Sequence, residues 1–249
     1  MTDLDMQARR AASFDGAAEL YDRARPGYPA EAVAWMVPLD AASVLDLGAG
    51  TGKLTASLLA PGRTVRAVDP SSEMLRVLAR KLPEVEVRIG TGERIPLPDG
   101  SVDAVSVGQA WHWMEQSAAA AEIARVLKPG GILSMIWNND DDRVAWVREL
   151  GGVPDAAPQV RPVADEELEL LAGFGPGEAA GWQWTRRMSR AELIAQESSV
   201  SAFLVASPAE QRERIAHVNA VLDRHPELEE GGVIDYPVYT LCLRYRRLG

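Results

Sequence analysis

The sequence predicts an α/β fold in which helices cover both faces of a mostly parallel β-sheet, the doubly wound arrangement. Across residues 43–137, short apolar runs alternate with segments of helical pattern. These runs are rich in Val, Ile and Leu, as is typical of parallel strands buried on both faces. Since 47% of the 249 residues are apolar, the chain can bury one large core, and we expect a single domain over 1–249.

The elements of this central region follow from apolar periodicity and from capping signals. Ser71 or Ser72 can cap the second helix, and the sequence Lys128-Pro129-Gly130-Gly131 ends the third. The predicted elements are strand Val44–Leu47, helix Lys53–Leu59, strand Val65–Val68, helix Ser72–Leu82, strand Val85–Ile89, strand Val102–Val107, helix Ser117–Leu127 and strand Ile132–Trp137.

The pattern is less regular on both sides of this region. Before it, Pro26 and Pro29 separate a short helix from a second one, Ala30–Val37. After it, we expect Asn138–Asp142 to form a solvated turn, because its carboxylates lack the spacing of an EF-hand calcium loop. The remaining predicted elements are a helix near 142–150, strand Trp182–Met188, a helix from Arg190 capped by Ser189, helix Pro208–Arg224 and strand Val238–Arg247.

Composition excludes several classes of protein. The chain has 26 basic and 36 acidic residues, so its net charge of −10 opposes binding to a nucleic-acid backbone. A single cysteine, Cys242, excludes a disulfide framework and a thiolate metal cluster, and we expect no metal site. No signal peptide is recognisable, and no run reaches the roughly 18 apolar residues of a membrane span. We therefore expect a cytoplasmic protein without membrane or nucleic-acid partners.

Three glycines alternate with other residues in the stretch VLDLGAGTGKLT, which begins at the first predicted strand. It is not a nucleotide P-loop, because Leu47 replaces the first glycine and Leu54 the magnesium-binding hydroxyl residue. It is not a dinucleotide fingerprint either, because Lys53 replaces the third glycine. Such a loop lets a ligand lie against the backbone, with an anionic group at the helix N-terminus. The alternative is a tight turn without a ligand.

Two further features indicate that the ligand is a nucleoside. Asp69 ends the second strand, 21 residues after Gly48, where a carboxylate can accept hydrogen bonds from both hydroxyls of a ribose. The turn Thr91-Gly92-Glu93 follows the third strand and can present polar groups to the edge of an adenine. Together with the glycine loop, these features predict a nucleoside that carries a charged tail.

With these motifs in this order, followed by RVLKPGGIL, the chain resembles the class I S-adenosylmethionine-dependent methyltransferases, most strongly over 43–137. The stretches SFDGAAELYDRARPGYP, GQAWHWM and DYPVYTLCLRYRR resemble, more narrowly, a small-molecule branch that includes trans-aconitate-type methyltransferases. The resemblance implies a Rossmann-like sheet of seven strands whose antiparallel last strand lies between the fifth and sixth. It also implies an N-terminal lid over 1–38, a cosubstrate-binding core over 43–137, a variable acceptor-side region over 138–235 and a last strand within 236–249.

The resemblance further implies which residues bind S-adenosylmethionine and its product S-adenosylhomocysteine. Asp46 would lie near the ammonium group, Asp69 would bind the ribose, and Pro70 would pack on the adenine. Thr91 replaces the usual acidic residue of the family, so the contact with the adenine amino group is weaker or moves to Glu93. The predicted cosubstrate-binding residues are Asp46, Gly48, Ala49, Gly50, Gly52, Asp69, Pro70, Thr91, Gly92, Glu93, Gln109, Tyr21 and Arg25.

Methyl transfer itself requires little acid–base catalysis by the protein, because a sulfonium is already a strong electrophile. A carboxylate acceptor needs no base, whereas a phenol or an alcohol gains from one. His112 is the candidate base, with a structural histidine that bridges its tryptophan neighbours as the alternative. Arg25 is a candidate clamp for a carboxylate, with a surface ion pair as the alternative. The residues predicted to line the acceptor site are Tyr28, Trp111, His112 and Trp113.

We therefore expect S-adenosylmethionine-dependent methyl transfer to a small organic acceptor, preferably to an oxygen. Two other functions remain open at this point. The first is a nicotinamide-dependent oxidoreductase, which the glycine spacing disfavours. The second is a non-catalytic S-adenosylmethionine-binding partner or regulatory protein, in which we would expect a degraded glycine loop.

Overall fold

The computed structural model describes residues 26–152, 157–160, 168, 170–200, 203 and 205–249. Strands and helices alternate through the first half of this range and become less regular after it. The elements are α1 (Ala30–Met36), β1 (Ser43–Leu47), α2 (Lys53–Leu58), β2 (Thr64–Asp69), α3 (Ser72–Lys81), β3 (Glu86–Ile89), β4 (Val102–Gly108), a 3₁₀ helix (Trp111–Trp113), α4 (Gln116–Val126), β5 (Leu127–Asp140), α5 (Ala145–Leu150), β6 (Glu178–Ser189), α6 (Arg190–Ser198), α7 (Pro208–Leu222), a second 3₁₀ helix (Pro226–Gly231) and β7 (Val233–Arg246).

The seven strands form one sheet in the order β3-β2-β1-β4-β5-β7-β6. The pairs β3/β2, β2/β1, β1/β4 and β4/β5 are parallel. The last strand is antiparallel and lies between β5 and β6, which confirms the predicted fold class and strand order. Because β1 to β4 run in the same direction, their carboxyl ends share one edge of the sheet, where open α/β sheets bind their ligands.

Alternate residues of the central strands pack into two apolar layers, one on each face of the sheet. Leu45, Val105 and Leu133 belong to one buried cluster, to which α4 contributes Ile123. The residues next to them in sequence, such as Val44, Ala104 and Ile132, belong to a second cluster with the buried residues of α1 and α2. Side chains of a strand alternate between the two faces of a sheet, so both faces are covered. This is the doubly wound arrangement that the apolar runs predict.

The chain divides into two compact units, each with its own apolar core. What we call the core unit comprises the described residues of 26–138, 163–182 and 240–249. The second unit includes the described residues of 139–162 and 183–239. Its buried cluster is formed by α5, α6, α7, the second 3₁₀ helix and parts of two strands, with Val147, Leu150, Met188, Leu193, Val218, Val221, Leu222, Leu228, Tyr236 and Val238. The predicted division into lid, cosubstrate-binding core and acceptor-side region stays a prediction.

The structure corrects the predicted course of β5. The strand begins at Leu127 rather than Ile132, and the sequence Lys128–Gly131 forms an irregularity in it. Val102 pairs with Leu127, whereas Ala104 already pairs with Ile132, so the extra residues are accommodated as a bulge. The predicted turn at Asn138–Asp142 is also wrong for its first three residues, which continue β5. Pairing with neighbouring strands outweighs the local turn preference of these residues.

Other predicted boundaries agree with the structure to within a few residues. The strands β6 and β7 begin at Glu178 and Val233, several residues before the predicted Trp182 and Val238. The predicted cap of α6 is confirmed, because the Ser189 side chain accepts a hydrogen bond from Glu192 N and the Glu192 carboxylate accepts one from Ser189 N. Among the residues that the structure describes, no helix has both the length and the apolarity needed to cross a bilayer.

The capping box of α6 provides a test of local stability. We expect Ser189→Ala to lower the free energy of unfolding by about 1 kcal/mol, because the backbone N–H of Glu192 loses the Ser189 hydroxyl as its acceptor. Ser198→Ala is the control, since the Ser198 hydroxyl only donates to Ile194 O within the same helix, and we expect a change below about 0.5 kcal/mol. Urea denaturation measures both, and equal losses would contradict the role of the cap.

Candidate functional site

The glycine loop folds tightly at the carboxyl end of β1. Gly48, Gly50 and Gly52 all have positive φ angles, of 71°, 52° and 84°. A Cβ on Gly48 would lie 2.5 Å from the Cβ of Ala110, so this glycine is required by packing. A Cβ on Gly50 would meet nothing within 4 Å. The loop therefore packs against protein at Gly48 and is open at Gly50, where a ligand can approach the backbone.

Asp69 connects this loop to β2. Its Oδ2 accepts a hydrogen bond from Gly50 N at 2.9 Å, and its Oδ1 accepts one from Ser71 N at 2.8 Å. The side chain is largely buried but keeps some access to solvent. A carboxylate oxygen can accept more than one hydrogen bond, so the geometry is compatible with the predicted contact to a ribose. That contact itself stays a prediction.

An apolar residue that the sequence analysis missed lies beside Asp69. Ile89, the last residue of β3, pairs with Asp69 in the sheet and is 64% exposed. The predicted adenine neighbour Pro70 is exposed as well. Two exposed apolar side chains at the carboxyl edge offer a surface for a flat aromatic ring. The sequence signal that could have identified Ile89 is its position as an isoleucine at the end of a strand whose other side chains include the charged Glu86 and Arg88.

The turn after β3 is held by its own hydrogen bonds. Thr91 and Arg94 exchange two backbone hydrogen bonds of 3.2 Å, and Glu93 Oε1 accepts a third from Glu115 N at 2.7 Å. Burial opposes the charge of Glu93, but the hydrogen bonds from Glu115, Thr91 and its own backbone outweigh it and lower the pKa of the carboxyl. A Cβ on Gly92 would lie 2.5 Å from the sulfur of Met114. Glu93 is thus ionised and already bonded to the start of α4.

The carboxyl end of β4 contains a strained residue. Gln109 has a φ of 58° and is the non-glycine residue with a positive φ in the described part of the chain. Its backbone N donates to Ile136 O, and its Nε2 donates to Asn138 O, both at 2.9 Å. The hydroxyl of Tyr28 lies against Gly108, since a Cβ there would be 2.9 Å from it. Strain of this kind is common at functional sites.

The 3₁₀ helix that follows presents its three aromatic residues differently. Trp111 is buried in the core, which disfavours a contact with an acceptor. His112 is exposed and packs on the half-buried Trp113, with ring centroids 4.6 Å apart. Partial burial lowers the pKa of His112 below its ordinary value. No hydrogen bond of His112 to the described residues is present, so the alternative of a histidine bridged to backbone is not supported.

Two predicted site residues, Tyr21 and Arg25, lie outside the described residues. The others, apart from the buried Trp111, lie on or directly behind the carboxyl edge of β1 to β4, within the core unit. The sheet thus brings together residues from 28 to 113 of the sequence.

Residues 45–135 match a family described as a methyltransferase domain. An uncharacterised methyltransferase of Mycobacterium tuberculosis is 44% identical over 233 residues, which cover 93% of this chain and 94% of the relative. The chain belongs to the class I S-adenosylmethionine-dependent methyltransferases. An uncharacterised methyltransferase of Schizosaccharomyces pombe is 33% identical over 232 residues, with 89% and 92% covered. This assignment decides against the nicotinamide-dependent alternative and favours an enzyme over a non-catalytic partner.

A solved structure of another protein has the same fold as this chain. It is a protein of Anaeromyxobacter dehalogenans assigned as a type II methyltransferase, with a TM-score of 0.62 and 21% identity over 90% of this chain and 97% of that one. Membership in class I implies the use of S-adenosylmethionine. The residues present fit this donor, because the backbone at Gly50 is open, a carboxylate ends β2, and apolar side chains are exposed next to it.

Asp46 precedes the glycine loop on β1 and is withdrawn from the protein surface. The side chain is fully buried on β1, and Thr55 Oγ1 of α2 donates to its Oδ2 at 2.6 Å. Its Oδ1 has no partner among the described residues, nor has the hydroxyl of Ser106, its sheet partner on β4. Burial, assisted by the charge of Asp69 and opposed by the bond from Thr55, raises the pKa of Asp46 to about 7. The predicted position of Asp46 near the ammonium group of the donor stays a prediction.

This raised pKa predicts how the stability of the methyltransferase depends on pH. In the unfolded chain Asp46 ionises near pH ~4, whereas the native protein holds its proton up to about pH 7, so native stability falls as the pH rises through this window. Asp46→Asn removes this effect. The free energy of unfolding, measured with urea and without donor, should therefore change in favour of Asp46→Asn as the pH rises. We expect the difference between the variant and the unsubstituted protein to increase by about 2 kcal/mol from pH ~5 to pH ~8.

Asp103→Asn is the control for this experiment. Hydrogen bonds from Lys128 and Ser43 outweigh burial and lower the pKa of Asp103 to about 2, so this carboxyl is ionised in both states throughout the window. The effect of its substitution should not change between the two pH values. A pH-independent difference for Asp46→Asn would show that Asp46 is ionised in the native protein at the lower pH.

Proposed function

We propose that this methyltransferase belongs to the small-molecule branch that includes trans-aconitate-type enzymes, and that it transfers a methyl group to a carboxylate or hydroxyl oxygen of a small organic acceptor. The observation that carries the proposal is the position of His112. It is an exposed imidazole on the turn directly after the carboxyl end of β4, and its lowered pKa keeps it mostly uncharged at neutral pH. The net charge of −10 further favours a small molecule over a nucleic acid as substrate.

The proposed donor site uses the carboxyl edge of β1 to β3. Gly48, Ala49, Gly50 and Gly52 would support the amino-acid end of the donor, with Asp46 behind them. Asp69 would bind the ribose, and Pro70 and Ile89 would enclose the adenine, which Thr91 to Glu93 border. We include Gln109, Tyr21 and Arg25 in the proposed donor site on the strength of the family resemblance.

When bound, S-adenosylmethionine supplies a methyl group on a positively charged sulfur. The residues of this chain then have to orient an acceptor in line with that group and to exclude water. For a hydroxyl acceptor, the uncharged imidazole of His112 can accept the proton that the oxygen loses. For a carboxylate acceptor, no proton moves, and His112 and Trp113 only line the site. Tyr28 is the proposed acceptor contact on the other side of Gly108.

The donor site can be tested at Asp69. We expect Asp69→Ala to weaken the binding of S-adenosylhomocysteine about 100-fold, because two hydrogen bonds to a charged group are lost. Isothermal titration calorimetry measures the dissociation constant. Asp99→Ala is the control, since Asp99 is an exposed partner of Arg125 that precedes the amino end of β4. Equal affinities of Asp69→Ala and the unsubstituted protein would remove Asp69 from the proposed site.

The acceptor class can be tested with a labelled donor and a panel of carboxylic acids, phenols, alcohols and amines. We expect label in an oxygen acceptor. A methyl ester releases labelled methanol in mild alkali, whereas a methyl ether is stable, so the product distinguishes the two oxygen classes. Transfer to amines alone would contradict the proposal.

His112→Gln separates the two possible roles of the histidine. With a phenol or alcohol acceptor we expect the turnover rate to fall at least about 100-fold, since general bases contribute roughly this much, while donor affinity is unchanged. With a carboxylate acceptor we expect little change. His225→Gln is the control, because His225 packs on Trp146 in the second unit. An undiminished rate with a hydroxyl acceptor would exclude His112 as its base.

A further inference from the structure

Asn138 is the residue at which three segments of the core unit meet. It lies near the end of β5, and its backbone carbonyl accepts the hydrogen bond from Gln109 Nε2. Its side-chain Nδ2 donates to Gly27 O at 2.9 Å, and its Oδ1 accepts from Thr240 Oγ1 at 2.6 Å. Asn138 therefore connects the end of β4, the segment before α1 and the strand β7.

The chemistry of these contacts requires an amide side chain. Gly27 O is a carbonyl and can only accept a hydrogen bond, which fixes the orientation of the Asn138 amide with Nδ2 toward Gly27. Oδ1 then faces Thr240, whose hydroxyl is fully buried and can donate. A carboxylate at position 138 can accept from Thr240 but cannot donate to Gly27, and its second oxygen would repel the carbonyl there.

Both groups that Asn138 holds lie at the carboxyl end of β4. Gln109 keeps its unfavourable φ of 58°, and its side chain is fixed by the Asn138 carbonyl. Gly27 immediately precedes Tyr28, whose hydroxyl lies against Gly108. Backbone strain of about 1–3 kcal/mol persists only where surrounding contacts determine the conformation, and these contacts do so here.

We propose that Asn138 is a positioning residue of the methyl-transfer site, which holds Gln109 and the segment Gly27–Tyr28 in place around the end of β4. The inference rests on the proposed location of methyl transfer at this edge of the sheet. Asn138 does not touch the reacting groups and acts through Gln109 and Tyr28. Its side-chain amide binds Gly27 and Thr240 directly and thereby fixes the backbone at position 138, whose carbonyl in turn holds Gln109.

The first test compares Asn138→Asp with Asn138→Ala in the full-length protein. We expect both to lower kcat at least about tenfold with the acceptor that takes up label, while the dissociation constant of S-adenosylhomocysteine changes less than about twofold. Thr240→Val, which removes one bond and keeps the shape of the side chain, should have a smaller effect. Gln109→Ala combined with Asn138→Ala should lower kcat no further than either alone, since the two act as a unit.

Asn219→Ala is the matched control. Asn219 is also a half-buried asparagine that accepts at one end, from Arg190, and donates at the other, to Ile215 O, but it belongs to the second unit. It should leave kcat unchanged. If Asn138→Asp has the kcat of the unsubstituted protein, or if Asn219→Ala loses as much as Asn138→Ala, the proposal is overturned.

A measurement without acceptor keeps this test separate from the proposed function. Hydrogen exchange followed by mass spectrometry reports on the peptides that contain 26–37 and 104–114. We expect Asn138→Asp to increase exchange in both peptides together, while a peptide of α7 is unchanged. If exchange increases in neither of these two peptides, or increases equally in the α7 peptide, the proposed role of Asn138 in connecting the two segments is refuted. If the exchange result is as expected and no acceptor takes up label, the proposed function fails and the positioning role stands.

Discussion

The contact between the glycine loop and β2 is the constraint on which the site depends. Gly48 and Ala49 donate their N–H groups to Val68 O, and Gly50 donates to the Asp69 carboxylate. Three successive backbone donors are thus satisfied by one strand end, which forces the chain to turn back over the sheet at β1. The direction of α2 and the open side of Gly50 follow from this turn, so the proposed donor site is built mainly from backbone rather than from side chains.

Directly behind the glycine loop, β1 and β4 bury polar groups, and this burial lowers stability. Asp46 lies fully buried on β1, opposite Ser106, and neither its Oδ1 nor the Ser106 hydroxyl has a hydrogen-bond partner within the described part of the chain. A buried polar group without a partner costs about 1–3 kcal/mol, and an apolar pair would fill the same space without that cost. The protein gives up stability here for a polar position directly under the loop. Because Thr55 holds the other oxygen in place, the carboxyl keeps a fixed orientation whether or not it carries a proton.

The central strands and the glycine loop could be predicted because their signals are local. Apolar runs define β1 to β4, and alternate glycines at a strand end indicate a turn with positive φ angles that other residues rarely adopt. The missed features depend on pairing across long stretches of sequence. The bulge at Lys128–Gly131 exists because Val102 pairs with Leu127, and Asn138 is strand rather than turn because β5 continues beside its neighbours. Its partners Gly27 and Thr240 are 111 and 102 residues away, a distance at which no local pattern carries information.

Gln109 shows why strain is retained at this edge. Glycine would adopt a φ of 58° without penalty, and the neighbouring Gly108 shows that the chain uses glycine where packing demands it. A glycine at 109 would, however, lack the amide that donates to Asn138 O. One hydrogen bond contributes about 0.5–1.5 kcal/mol to stability, no more than the strain costs, so stability alone does not explain the side chain. The retention of an amide in this costly conformation supports the proposal that Gln109 belongs to the methyl-transfer site.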